Sequence, residues 1–186
     1  MEAKKPVIVD TNILMSSLLK RKSAFLETLR SGEYQFHICE LPIIELFKHK
    51  DKIIKYSELS EDEITKVYYF LLKKLTIYKE DLIEKSNWKK AYELCKEVDE
   101  TDTPFIALTL ELDGLLYSGD QILKKHLKAK GFVTIQASCH REHREHRDIK
   151  SLLKKTCLVE KDVPQAGKTI LNALHEVVDT QNSSSV

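Results

Sequence analysis

The sequence predicts an α/β domain in which a mostly parallel sheet carries helices on both faces. Short β-branched or apolar runs alternate with stretches of helical period, and cap and breaker residues fall between the two kinds of segment. The chain has 186 residues, 42% of them apolar, which suits one domain able to bury a sizeable core without metal or disulfide staples.

Val7, Ile8 and Val9 form a β-branched run between Pro6 and the turn-favouring Asp10-Thr11-Asn12, so a buried strand feeds a helix and leaves Asp10 at the strand's carboxyl end. A helix follows through Ile13, Leu14, Leu18 and Leu19. A second is opened by Ser23 and closed by Gly32. Residues 34–39 resemble another strand, and Pro42 suits the first turn of a helix whose apolar arc includes Ile43, Leu46, Phe47 and Ile54. Ser60 and Glu63 make a capping box for a helix ending near Leu75. Residues 76–78 read as a short strand before a helix carrying Trp88, Ala91, Tyr92, Leu94 and Cys95. Asp102-Thr103-Pro104 starts a helix that Gly114 follows, and residues 115–118 read as a strand ending at Gly119-Asp120. A lysine-rich helix and a last strand around residues 132–135 complete the pattern.

Thirty basic against 29 acidic residues give a net charge of +1, so attraction to a phosphate backbone must come from local patches. The candidates are residues 20–22, residues 48–50, Lys73 with Lys74, and the run Lys124, Lys125, Lys128, Lys130. Solvated helix faces are the plainer explanation of such runs. Cys39, Cys95, Cys139 and Cys157 form no Cys-x-x-Cys pair, which argues against a zinc ribbon or a disulfide scaffold. The early apolar stretch is too brief for a signal-peptide core, and no run approaches the ~20 residues that span a bilayer. The expectation is a soluble, cytoplasmic protein with no membrane partner.

Sites in parallel sheets form at the carboxyl ends of the strands. Asp10 and Asp120 both fall there, and Asp102 lies at a helix start. Hard cations such as Mg²⁺ prefer a few carboxylates and keep several waters, a role these three acids suit. Each could instead cap the helix that follows it.

The segments VIVDTNILMSSLL, ELPIIELFKHK, DETDTPFIALTLELDG and LLYSGDQIL together resemble a PIN-domain nuclease, the fold of many VapC-like toxins, over residues 6–135. The resemblance implies a three-layer PIN-like domain over residues 1–136, with a mostly parallel central sheet flanked by helices; it fades beyond Gln136, and residues 137–186 read by themselves as a helical extension and tail. The resemblance also implies four acids, Asp10, Glu45, Asp102 and Asp120, with Asp10, Asp102 and Asp120 as metal ligands. Thr11 and Asn12 would order the turn around Asp10, Ser118 would support Asp120, and Asp99 is an alternative to Asp102. Helical geometry alone would make Glu45 a solvent-facing residue, so its role rests on the resemblance. The implied reaction is hydrolysis of RNA, single-stranded or looped, with Mg²⁺ or Mn²⁺. The implied partners are that RNA, an antitoxin protein and a second copy of the chain.

Residues 139–147 repeat an Arg-Glu-His unit that invites a zinc site, although a solvated helix or a mobile segment is the plainer reading. Apolar residues beyond position 150 predict one or two further helices, and the serine-rich end predicts a frayed tail. Among rival functions, a haloacid-dehalogenase-like phosphatase needs a second aspartate where Asn12 stands. A receiver domain needs paired acids after its first strand. A PIN-like module without catalysis, binding RNA or protein, is the nearer alternative.

Overall fold

The computed structural model describes residues 5–132 and 134–136. The extension and the histidine-rich tract expected beyond residue 136 lie outside the described residues. Strands β1 (Pro6–Val9), β2 (Gln35–Cys39), β3 (Thr76–Tyr78), β4 (Leu115–Ser118) and β5 (Thr134–Gln136) form one sheet in the order β3-β2-β1-β4-β5. All four pairings are parallel. Such an order reverses direction between β1 and β4, and in sheets of this kind ligands bind at the carboxyl edge beside such a reversal.

Helices α1 (Thr11–Leu19), α2 (Ala24–Ser31), α3 (Glu40–Lys48), α4 (Lys50–Tyr56) and α5 (Glu61–Lys74) precede β3, and α6 (Lys85–Cys95), α7 (Thr103–Glu111) and α8 (Gln121–Ala129) come after it. The two groups cover opposite faces. Val7, Val9, Phe36, Ile38, Ile77 and Tyr117 pack against residues of α1 to α5, whereas Ile8, Cys39 and Leu116 pack against residues of α6 to α8. Successive residues of β1 therefore enter different cores, and Val7, Ile8 and Val9 are each at most 1% exposed. A strand covered on both sides reads as an unbroken apolar run, which is what the sequence displays.

The local signals act as expected. Ser60 and Glu63 form both halves of the capping box on α5. Ser23 caps α2, and Gly32 closes it in the left-handed region at φ 68°. Gly114 serves a different purpose, since a Cβ there would collide with Ile8 Cδ1 and stand 2.9 Å from the Pro6 carbonyl oxygen. The chain can pass that close to β1 only without a side chain.

Two boundaries differ from expectation. The single helix expected around Pro42 is two: α3 begins at Glu40, and the helix breaks at His49, whose φ of −97° and ψ of 12° leave the helical region. Pro42 stays within the first turn, where no intrahelical N–H is needed. The last strand begins at Thr134 because Phe132 closes α8, donating its N–H to the Leu127 carbonyl at 2.9 Å.

Candidate metal centre

Asp10 follows β1 directly and caps α1, with its side chain accepting from the Asn12 backbone N–H at 3.0 Å. Its own N–H donates to the Tyr117 carbonyl at 3.2 Å, locking the end of β1 to β4. Ser118, the last residue of β4, donates its hydroxyl to Asp10 Oδ2 at 2.7 Å. The same Ser118 oxygen accepts the Asp120 N–H at 3.1 Å. One buried hydroxyl thus joins the two acids that flank the crossover point of the sheet.

Asp120 also caps α8, accepting from the N–H groups of Ile122 and Leu123. Capping and a site role are compatible, because a carboxylate offers about four lone-pair positions. Asp102 differs. It precedes α7 and is only 3% exposed, yet its side chain makes no capping hydrogen bond to that helix. The cap explanation holds for Asp10 and Asp120 and not for Asp102. Burial drives the Cys95 thiol up to about 11, and the nearby Asp102 charge adds to the effect. Asp99, half-buried, caps a 3-10 turn at Glu100–Asp102 through the Thr101 N–H at 3.0 Å.

Glu45 lies exposed on α3, as helical geometry alone suggested. Partial burial raises its pKa, and Lys48 works against that shift. The hydrogen bonds that tie Asp10, Ser118 and Asp120 together do not include it. Among the described residues, no three His, Cys, Asp or Glu side chains converge closely enough to hold a metal ion. The three-acid cluster expected from the sequence is therefore not a preformed cage.

A PIN-domain family model matches residues 8–140. The chain belongs to the PIN-domain family. A solved structure of VapBC2 from Rickettsia felis, bound to a DNA fragment from their promoter, is similar to this PIN domain with a TM-score of 0.52 and 14% identity. The similarity covers 70% of this chain and 98% of that one, and at such identity it concerns the fold. Comparison with curated proteins returns no match.

The donor set of this PIN domain fits a hard divalent cation in chemistry. Asp10 and Asp102 are carboxylates 2% and 3% exposed, and the Asn12 side-chain oxygen beside Asp10 is buried with no hydrogen bond among the described residues. Mg²⁺ is commonly held through one or two carboxylates with waters, so the lack of a three-acid cage is no obstacle. Divalent cations are general to the family.

Sequence reasoning missed several groups around this edge. Lys124 was grouped with Lys125 and Lys128 as one basic face, but it is 7% exposed, one turn from Asp120, while the other two are exposed. The apolar neighbours Leu123 and Leu127 were the available signal that this side of α8 faces inward. Glu40 follows β2 as Asp10 follows β1, so the same strand-end rule could have found it. It adds to the raised pKa of Glu80, which burial mainly causes, and Glu80 accepts the Leu41 N–H at 2.9 Å. Other basic patches are spent locally: Arg21 bonds Glu58 and pairs with Glu63, and Lys50 pairs with Glu61.

Proposed function

We propose that this PIN domain is a metal-dependent endoribonuclease that hydrolyses RNA phosphodiesters. Asp10, Asp102 and Asp120 hold Mg²⁺ or Mn²⁺, and Glu45 is the fourth acid of the site. Thr11 and Asn12 order the turn that presents Asp10, and Asp99 is the neighbouring alternative to Asp102. The observation that supports this reading is the Ser118 bridge, which ties the Asp10 carboxylate to the backbone of Asp120 where β1 and β4 end, the edge at which sites form in parallel sheets. A bound cation would supply an activated water and offset charge on the phosphate.

The chain's own residues do the positioning. Ser118 and Asn12 both donate to Asp10, which fixes the orientation of its carboxyl group. Burial of Asp10 and Asp102 lowers the local dielectric and strengthens their pull on a cation. Single-stranded or looped RNA suits an edge site better than a duplex, because an open strand can follow a narrow rim. The VapBC2 neighbour supports an antitoxin as a protein partner, with this chain as the toxin of a toxin-antitoxin pair. A homodimer and a cytoplasmic location complete the proposal. No helix among the described residues is long and apolar enough to cross a membrane.

The second reading is a PIN-like module that binds RNA or protein without cutting. The absence of a three-acid cage among the described residues favours it. An RNA cleavage assay with Mg²⁺, Mn²⁺ and chelator separates the two. The nuclease reading requires cleavage by the native chain, its loss on chelation, and its loss in folded Asp10→Asn. Cleavage that persists in Asp10→Asn would reject the assigned site, and none by the native chain would favour the binding module.

A further inference from the structure

The Asn12 amide is used on one side only. Its Nδ2 donates to Asp10 Oδ1 at 3.2 Å and to Oδ2 at 3.4 Å. Its Oδ1 is buried and receives no hydrogen bond from the described residues, and the residue as a whole is 6% exposed. Exchanging the two ends of the amide would set an oxygen against the Asp10 carboxylate, so chemistry fixes this orientation. Buried acceptors in folded proteins nearly always have a donor. The described residues supply none, which leaves the place open to a donor bound beside Asp10.

Nδ2 and Oδ1 diverge from a single carbon, so an oxygen whose partner nitrogen faces Asp10 is directed away from that carboxylate. This orientation disfavours direct contact with an ion seated on Asp10. The O–H groups of a hydrated ion extend further, and Mg²⁺ gives up its waters reluctantly. We propose that Asn12 Oδ1 accepts a hydrogen bond from a water in the hydration shell of the cation held at Asp10 and thereby orients that water. The inference rests on the cation reading given above and adds a second task to a residue otherwise needed only to order a turn. Asn12 is a positioning residue. An aspartate at this place would lose the donor to Asp10 and add a further negative charge, so an amide alone serves both ends.

The test follows two carbons in the full-length ¹³C,¹⁵N-labelled protein by NMR: the Asn12 side-chain carbonyl, assigned by its loss in Asn12→Ala, and the Asp10 carboxyl. The probes are Mg²⁺ and hexaamminecobalt(III), which cannot exchange its ligands and offers N–H donors only. Both should move the Asn12 carbonyl saturably, and Mg²⁺ should move Asp10 over the same concentration range. Asn12→Ala should weaken Mg²⁺ binding by about tenfold, the scale found for groups that support metal ligands. Saturable movement at Asp10 with a still Asn12 carbonyl would overturn the role of Asn12 and leave the cation reading standing. No movement at either carbon would remove the cation reading and this inference with it. The native titration decides the matter even where Asn12→Ala fails to fold, since sequential backbone assignment of the labelled protein, carried into the side chain, identifies the Asn12 carbonyl.

Discussion

The Ser118 hydroxyl reaches Asp10 Oδ2 at 2.7 Å across 108 positions of sequence, and both side chains are buried. This one contact joins β1 to β4 at the point where the sheet changes direction. Ser118→Ala leaves a buried carboxylate short of a donor and should cost about 1–3 kcal/mol of stability. Urea unfolding measures it. A double-mutant cycle with Asp10→Asn should return a coupling of about 0.5–3 kcal/mol, and a coupling near zero would contradict the structural role given to the bond.

Gly114→Ala should destabilise through overpacking, because its Cβ meets Ile8 Cδ1 and the Pro6 carbonyl oxygen. The expected loss is about 1–3 kcal/mol, read from thermal or denaturant unfolding. Ile8→Val with Gly114→Ala should recover part of it. An unchanged midpoint for Gly114→Ala would show that β1 can shift more freely than its burial suggests.

Ser60→Ala removes the capping box of α5 while leaving the carboxyl edge of the sheet untouched. About 1 kcal/mol should be lost. Any nuclease activity should persist below the unfolding temperature, so a large activity loss in a folded Ser60→Ala would tie α5 to the site in a way the present account does not include.

His37 introduces a pH dependence. Both ring nitrogens are buried without hydrogen-bond partners among the described residues, and burial lowers its pKa from 6.5. The unfolded chain therefore takes up a proton that the native chain resists. Its contribution is fully present above pH 6.5 and is lost as pH falls from there through the lowered native value. His49 shifts the same way, through burial first and then Lys52 and Lys48, so the comparison must be a difference. His37→Leu should lose less stability than the native chain between pH 6.5 and 5, and parallel curves would contradict the assignment.

Much of the fold was legible because its strands are short, apolar and covered on both faces, and because Ser23, Gly32, Ser60 and Glu63 mark helix ends by local chemistry alone. The break at His49 was not legible, since the apolar arc of α3 continues into α4 through Ile53 and Ile54, and periodicity does not register a single residue leaving the helix. At the site, strand-end placement found Asp10 and Asp120. It did not resolve whether they cap or bind, and the structure gives both a capping role while withholding one from Asp102. The buried position of Lys124 and the one-sided amide of Asn12 depend on tertiary packing, which a single sequence does not display. Glu45 entered through family resemblance, and its exposure agrees with the helical geometry rather than with a buried ligand.

The central claim is that carboxylates from separate parts of the chain hold one divalent cation at the crossover edge. A crystal structure of the native protein soaked in Mn²⁺, with anomalous scattering to locate the ion, tests it most directly. The account predicts a manganese peak at ~2.2 Å from an Asp10 oxygen, shared with Asp102 or Asp120 and completed by waters. Full Mn²⁺ occupancy elsewhere, with Asp10 still bonded only to Asn12 and Ser118, would contradict it.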